Sequence, residues 1–343
     1  MACRRGPATP MLALLLALAA PACGAAVADD FGYVRSASQA QGPGPDPGVV
    51  VVDARPLAEC RERSLAGARC LPAGDLLGPQ RRLPAARDLL WLLGTAGLAG
   101  HETVLVVGQD PTARDFVAGV LYAAGQRRVQ ILTEPVGRAL ASGAAAGPGR
   151  ERGLVREAVF EAPMRDRLLV LRDELRAMRP APMLLDGRSD REYWGEVPRA
   201  VRTGHLPGAI SLPALQLRAA LDAADGRGAV VPDGSPVAYA HDAFEGFAYL
   251  SLLVAANGVA ARLYAEGWAE WAADGSLPAD AVGYPDPGPV RAGGPPAASV
   301  TPSVDAPGPV AWPPREALVA AATTLALAAF AAGWWLSGRR AAS

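Results

Sequence analysis

Lysine is absent from this chain of 343 residues, so all of its charged basic side chains are arginines. The 33 basic residues are matched by 34 acidic ones, and the formal net charge of −1 gives no basic surplus that would favour nucleic acid as a partner. The sequence also lacks a glycine-rich phosphate loop, closely spaced cysteine pairs of the kind that bind zinc, and a Gly-x-Ser-x-Gly turn. Nucleotide, zinc and serine-hydrolase sites are therefore not predicted, and no cofactor is expected.

The N-terminus carries an export signal. Two arginines precede an apolar run from Met11 to Ala20, which is too short to span a bilayer. Small residues follow, and Ala26-Val27-Ala28 fits a cleavage site of the A-x-A type. Residues 1–28 are therefore predicted to be a secretory signal peptide. An alternative interpretation treats Cys23 as the lipidated residue of a lipoprotein.

The C-terminus contains an apolar segment of membrane length. Residues 317–336 carry no charge, and a helix of this length spans about 30 Å, the thickness of the hydrocarbon core. Trp334 and Trp335 end the segment, and two arginines follow in residues 337–343. This pattern predicts a single transmembrane helix with a cytoplasmic tip and the folded domains outside the cytoplasm. A buried core helix and a C-terminal sorting signal that is later removed are the alternatives.

Residues 183–213 carry the strongest motif in the chain. A short apolar strand is followed by Asp186-Gly-Arg188, by a short helix, and then by Gly204-His-Leu-Pro-Gly-Ala entering another strand. This order resembles the start of a rhodanese (sulfurtransferase) domain. A fainter copy begins at Val49, about 130 residues earlier. The two copies together resemble the tandem architecture of thiosulfate and mercaptopyruvate sulfurtransferases.

The resemblance implies an α/β fold with two rhodanese-like domains, each a parallel sheet flanked by helices. We place the first domain at residues 31–141 and the second at residues 155–277, with a connector at residues 142–154 and a Pro/Gly/Ala-rich stalk at residues 278–316. Continuous apolar runs alternating with helical segments agree with parallel sheets. The predicted strands are Val49–Val52, Thr103–Val107, Val129–Leu132, Met183–Leu185, Ala209–Leu212, Pro236–Ala240 and Ala261–Tyr264. The predicted helices include Pro84–Leu93, Ala113–Ala124, an amphipathic helix Met164–Met178, and Phe247–Asn257.

In the second domain of tandem rhodanese proteins, the catalytic cysteine follows a strand and begins a tight loop. The backbone amide groups of that loop surround the sulfur. The resemblance places His241 at that position in this chain. An imidazole cannot carry a persulfide, so no catalytic residue is predicted. The negative charges of Asp242 and Glu245 would disfavour the binding of an anionic sulfur donor. The vestigial loop is predicted to comprise His241, Asp242, Ala243, Phe244, Glu245, Gly246 and Phe247.

Other residues of the motif are predicted to be structural. Asp186 and Arg188 are expected to tie the following helix to the sheet by hydrogen bonds. His205 and Gly208 belong to the turn that precedes the next strand, and His205 is expected to form a local hydrogen bond there. A metal site that uses His241 with its acidic neighbours is a weaker alternative.

The cysteines also bear on the function. Removal of the signal peptide leaves Cys60 and Cys70, both in the first domain. A disulfide between them is predicted in an oxidising compartment, while two buried apolar side chains or a reactive thiol pair are the alternatives.

The sequence as a whole predicts an exported protein of the bacterial cell envelope, held by one C-terminal membrane span. It is expected to keep the rhodanese-like fold without the catalytic thiol and to act by binding an unidentified protein partner. The alternatives are an active sulfurtransferase that uses a displaced thiol, Cys60 or Cys70, and metal or small-anion binding at the altered loop.

Overall fold

Two parallel β-sheets form the framework of the molecule, one in each half of the chain. The computed structural model describes residues 31–36, 48–223 and 230–281. These residues belong to one compact unit, while a second unit consists of residues 285–343 and is not described. The predicted signal peptide, transmembrane helix and cytoplasmic tip, and the stalk beyond Ala281, lie outside the described residues. Within the described residues, no helix has both the length and the apolar character needed to cross a bilayer.

The first half is built around a six-stranded sheet in which every pairing is parallel, in the order β1-β6-β5-β2-β4-β8. A second, antiparallel pair joins β3 to β7. The strands are β1 (Phe31–Val34), β2 (Val50–Asp53), β3 (Ser64–Leu65), β4 (Arg69–Cys70), β5 (Thr103–Val107), β6 (Arg128–Leu132), β7 (Ala146–Gly147) and β8 (Arg150–Glu151). The α-helices are α1 (Leu57–Glu62), α2 (Ala86–Thr95), α3 (Pro111–Ala124) and α4 (Val136–Ala141), and short 3₁₀ turns lie at Ala73–Leu76 and Pro79–Arg81.

The second half is built around a parallel sheet with the order β10-β9-β11-β12. Its strands are β9 (Leu184–Asp186), β10 (Ile210–Ser211), β11 (Val237–Tyr239) and β12 (Arg262–Leu263). Its α-helices are α5 (Arg172–Ala177), α6 (Asp190–Tyr193), α7 (Ala214–Asp222), α8 (Ala243–Ser251) and α9 (Gly267–Ala273); a 3₁₀ turn lies at Asp166–Leu168, and a π-helical turn, Leu252–Ala256, extends α8.

The two sheets share one strand order. Leu169 forms a parallel bridge with Leu263 and so takes the outer position beside β12. The second sheet then reads Leu169-β12-β11-β9-β10, which parallels β1-β6-β5-β2-β4 in the first. The α/β architecture with parallel sheets flanked by helices is therefore confirmed.

The predicted amphipathic helix over residues 164–178 is wrong. The chain there forms a 3₁₀ turn, an extended stretch at Leu169 and Val170, and only then the short helix α5. The amide of Val170 donates to the carbonyl of Leu263 at 2.8 Å, so sheet pairing takes the backbone groups that a continuous helix would need. Leu171, one of the apolar residues of the predicted helix, is 73% exposed. The apolar spacing fitted a helix, but pairing with β12 decides the structure.

Helices α3 and α8 bring the two halves together. A Cβ atom added at Gly119 of α3 would lie 2.4 Å from the carbonyl oxygen of Phe247 in α8, so the glycine permits the close approach. Phe116 packs against Phe244 and Phe247, with ring centroids 5.0 and 6.3 Å away. Ser251 donates to the carbonyl of Asp115 at 2.8 Å. Buried residues of both halves consequently belong to one hydrophobic core.

Residues 146–151, part of the predicted connector, also join this framework. Strand β7 pairs with β3, and β8 extends the first sheet beside β4. Because these pairings use their backbone groups, residues 146–151 are structurally part of the first half.

Candidate functional site

The candidate site lies where β9 and β11 end side by side. Tyr239 of β11 is in register with Asp186 of β9, and its hydroxyl donates to the Asp186 carboxylate at 2.6 Å. Both side chains are fully buried. Burial, together with the charge of Asp186, raises the pKa of Tyr239 well above its usual range, so the phenol remains a donor. In parallel α/β sheets, sites form beyond the carboxyl ends of such neighbouring strands.

Arg188 holds the end of β9. Its guanidinium donates to both oxygens of Asp186, at 2.9 and 2.5 Å, and to the carbonyl of Gly204 at 2.9 Å. Burial alone would lower the pKa of Arg188, but hydrogen bonding and the charge of Asp186 raise it instead. Because the chain segment that enters β10 is tied to the same guanidinium, the pair fixes the turn as well as the strand end.

His205 and Gly208 lie in that turn, as part of a separate set of contacts. The His205 ring stacks on Tyr193, with centroids 3.6 Å apart, and its Nδ1 lies 3.1 Å from the Tyr193 carbonyl. Gly208 has a φ of +71°, and its amide donates to the carboxylate of Asp280 at 2.9 Å. These contacts of His205 and Gly208 are with Tyr193 and Asp280, and so they do not include His241.

His241 follows β11 and is bound to a carboxylate. Its Nδ1 lies 2.6 Å from Oε1 of Glu192, a residue of the short helix α6. His241 is 9% exposed and Glu192 is 4% exposed. The backbone carbonyl of His241 accepts the amide of Ala269 at 2.8 Å, which ties the residue to α9. The imidazole is therefore fixed both through its ring and through its backbone.

Two arginines complete the environment of Glu192. Arg199 donates to Glu192 at 3.0 Å and to both oxygens of Glu245, at 2.6 and 3.1 Å, while Arg188 lies 3.4 Å away. Burial would raise the pKa of Glu192, but the hydrogen bond with His241 and the charges of the two arginines outweigh it and hold the pKa below its usual range. Glu192 is thus an ionised carboxylate at neutral pH.

The predicted vestigial loop is shorter than expected, since only His241 and Asp242 lie in the bend before α8. Helix α8 begins directly after Asp242, so Ala243, Phe244, Glu245, Gly246 and Phe247 are all helical, and the predicted start of this helix at Phe247 is wrong. The Asp242 carboxylate accepts the amide of Glu245 at 3.0 Å, and its backbone carbonyl accepts that of Gly246 at 2.8 Å. Asp-x-x-Glu is the pattern of a helix capping box. The carboxylate of Asp242 therefore caps the helix end at which a sulfur anion would bind.

The charges of both acidic side chains are also compensated. The Asp242 carboxylate accepts a hydrogen bond of 2.5 Å from Nε of Arg81, a residue of the first half. The Arg81 guanidinium also lies 4.4 Å from the centre of the Phe244 ring. Glu245 is paired with Arg199. Within the described residues, His241 and these two acids do not form a cluster suited to a metal ion.

Both cysteines of the described region lie outside this site. Cys60 and Cys70 are fully buried in the first half and are joined by a disulfide, with a Cα–Cα distance of 5.9 Å. Gly149 packs directly on this bond, because a Cβ atom there would lie 2.3 and 2.6 Å from the two sulfurs. The described part of the chain therefore offers no free thiol.

The family of the second half follows from comparison with known proteins. Residues 171–274 match the family described as rhodanese-like domain. These residues form a rhodanese-like domain. It contains β9 to β12, the Asp186–Arg188 pair and His241. No curated protein matches the sequence.

Solved structures extend the likeness beyond the rhodanese-like domain. A probable thiosulfate sulfurtransferase is 27% identical, with a TM-score of 0.51 over 69% of this chain and 99% of that one. EanB, solved in complex with hercynine, is 19% identical, with a TM-score of 0.58 over 70% of this chain and 65% of its own. YnjE is 18% identical, with a TM-score of 0.57 over 70% of this chain and 64% of its own. For EanB and YnjE the likeness is one of fold, and this chain spans about two thirds of their lengths.

Three charged residues of the site were not predicted from sequence. Glu192 had a usable signal, because it lies four residues after Arg188 and three after Ser189, which is the spacing of a helix capping box. In the structure its amide donates to the Ser189 hydroxyl at 3.2 Å. Arg199 and Arg81 had none. They reach the site from an irregular segment and from the other half of the chain, and only the tertiary fold brings them there.

Proposed function

We propose that this protein is an exported, membrane-anchored tandem rhodanese-like protein of the bacterial cell envelope that lacks persulfide chemistry and acts by binding a protein partner. The observation that carries the proposal is the order of groups after β11. His241 occupies the end of the strand, and the carboxylate of Asp242 caps the helix behind it. A thiol and an open set of amide donors would be needed for sulfur transfer there.

The shared strand order supports the tandem arrangement. Each half has a strand followed by Asp-x-Arg, and in each the arginine donates to the aspartate, Arg55 to Asp53 at 2.7 Å and Arg188 to Asp186 at 2.5 Å. The family match covers residues 171–274, whereas the structural matches cover 69–70% of the chain. The aligned region is therefore larger than the second half alone, and we infer that the first half is a diverged copy.

The electrostatics of the site support the loss of activity. An incoming thiosulfate dianion would meet the carboxylates of Asp242, Glu192 and Glu245, and its approach would require the arginines to leave their present partners. Breaking a buried or half-buried ion pair leaves a carboxylate uncompensated, which is costly. An imidazole in place of a thiol also provides no sulfur acceptor.

The disulfide and the two terminal segments support export. Disulfides persist in oxidising compartments, and Cys60–Cys70 is a buried cross-link of the first half. The export signal and the apolar C-terminal segment inferred from the sequence would then place the folded unit on the extracytoplasmic face of the membrane.

The proposal is tested by an assay of thiocyanate formation from cyanide with thiosulfate or mercaptopyruvate as the sulfur donor. We expect the detergent-solubilised full chain to show no turnover above background. The variant His241→Cys restores a thiol at the strand end, and we expect it to recover slight activity that increases when Asp242→Ala removes the capping charge. Robust turnover by the wild type that is lost in Cys60→Ser or Cys70→Ser would overturn the proposal in favour of a displaced thiol.

A second experiment addresses the binding role. Crosslinking and affinity purification from solubilised membranes of the native cells, with wild type and a His241→Ala/Glu245→Ala variant in parallel, should recover a partner with the wild type only. Equal recovery with both proteins would show that the partner binds elsewhere.

A further inference from the structure

The segment Pro79–Arg82 of the first half crosses onto the candidate site of the second half. Gln80 has φ and ψ of 59° and 24°, and Arg81 has a φ of 58°. They are the two non-glycine residues with positive φ in the part of the chain that the structure describes. Two consecutive side-chain-bearing residues in the left-handed region are held there against their own backbone preference, so surrounding contacts must compensate.

The compensating contacts are made by the two arginines. Arg81 donates to Asp242 at 2.5 Å and stacks over Phe244, in the first turn of α8. Arg82 lies 2.8 Å from Glu266 and 3.9 Å from Glu270, at the start of α9. These two helix starts flank His241, since α8 begins two residues after it and Ala269 of α9 donates to its carbonyl. The segment therefore bridges the two elements that enclose the imidazole.

These contacts are of a kind that can be released. The side chains of Arg81 and Arg82 are 52% and 54% exposed, so water and salt compete with both ion pairs. The segment belongs to neither sheet. The amide of Arg82 donates to the Pro79 carbonyl, and the amide of Gly78, next to the segment, donates to the Arg82 carbonyl. Backbone strain favours release, while the arginine contacts favour the closed position.

We propose that Pro79–Arg82 is a strap that closes the His241 site and opens when Arg81 leaves Asp242. Opening uncovers the ring of Phe244 and the half-buried face of α8 beside His241, and it relaxes Gln80 and Arg81 to ordinary backbone conformations. The strap regulates access to the site named in the proposed function, and it rests on that proposal only for the site's role as a binding surface.

Chemical labelling of the three histidines tests the strap directly. Diethyl pyrocarbonate modifies accessible imidazoles, and peptide mass spectrometry follows each histidine separately in the full chain. His101 is exposed and reports the activity of the reagent, while His205, which is 6% exposed and stacked on Tyr193, reports global unfolding. We expect Arg81→Ala to raise the labelling rate of His241 by about five- to tenfold at unchanged rates for His101 and His205, which corresponds to a shift in the opening equilibrium of roughly one decade.

A matched substitution works in the opposite direction. Gln80→Gly removes the backbone penalty of the closed strap and retains both arginines, so it should slow the labelling of His241 relative to wild type. Arg87→Ala serves as a neutral control, because that arginine is 92% exposed and its ion pair among the described residues is with its neighbour Asp88. High salt should raise His241 labelling in the wild type, and by a smaller factor in Arg81→Ala, which keeps the ion pairs of Arg82.

Identical His241 labelling in wild type, Arg81→Ala and Gln80→Gly would overturn the strap, and so would an increase accompanied by His205 labelling in the same proportion. The readout involves neither a sulfur donor nor a partner. A failure of the strap is therefore distinguishable from a failure of the proposed function, which the thiocyanate assay and the partner purification measure.

Discussion

The imidazole of His241 and the carboxylate of Glu192 are joined by a hydrogen bond of 2.6 Å at the end of β11. This contact converts a position that the rhodanese resemblance assigns to a thiol into a fixed, paired group. Glu192 is in turn held by the buried Arg188 and by the partly exposed Arg199, so the pair is part of a charge network rather than an isolated contact.

Glu192→Gln should destabilise the protein by about 2–4 kcal/mol at pH 7, because it leaves buried donors without their charged partner. The folded-state pKa of Glu192 lies below its unfolded value of about 4.3, so its contribution is present above that value and is lost as the pH falls through the folded pKa. The gap between wild type and variant should therefore shrink below about pH 4.3. Urea unfolding at pH 7 and at a series of acidic pH values measures it. A gap that widens on acidification would contradict the assignment of Glu192 as the depressed carboxyl.

Asp242 has two roles, which two substitutions separate. Asp242→Ala removes both the helix cap and the partner of Arg81, and we expect a loss of about 1–2 kcal/mol. Asp242→Asn retains a capping oxygen but loses the charge. Because the Arg81 side chain of the ion pair is 52% exposed, we expect a smaller loss of stability, below about 1 kcal/mol. Chemical denaturation of both variants gives the comparison. Equal losses would mean that the ion pair, and not the cap, dominates.

Cys60 and Cys70 should resist alkylation until the protein is unfolded and reduced. Cross-linking residues ten positions apart restricts the unfolded chain, and removal of the bond by Cys60→Ser/Cys70→Ser should cost about 2–4 kcal/mol. Mass spectrometry after alkylation, with and without reductant, counts the free thiols. Two thiols labelled without reductant would exclude the disulfide.

Gly149→Ala should destabilise the first half by about 1–3 kcal/mol, because the added methyl group would overlap both sulfurs of the disulfide. Gly74→Ala is the matched control, since nothing lies within 4 Å of a Cβ atom there. Thermal unfolding of the two variants, prepared in parallel, makes the comparison. A Gly149→Ala protein as stable as the control would show that the backbone at β8 can shift away from the disulfide.

Local patterns predicted the framework well where burial is continuous. Strand β5 coincides with the predicted run Thr103–Val107, because its last four residues are apolar and buried. The same logic failed at residues 164–178, where spacing alone could not reveal that Leu169 pairs with Leu263. A helix and an edge strand can present similar apolar residues, and a partner that is 94 positions away in sequence decides between them.

By itself, the sequence determined the α/β class, the position of the Asp186–Arg188 motif and the presence of His241 after a buried strand, because each depends on residue type and local order. Tertiary structure decided the electrostatics of the site. Arg81 and Arg199 reach Asp242, Glu192 and Glu245 from segments that have no periodic or motif signal. The sequence of a segment shows which charged groups it carries. The pairing of Arg199 depends on the fold of the second half, and that of Arg81 on the packing of the two halves through α3 and α8.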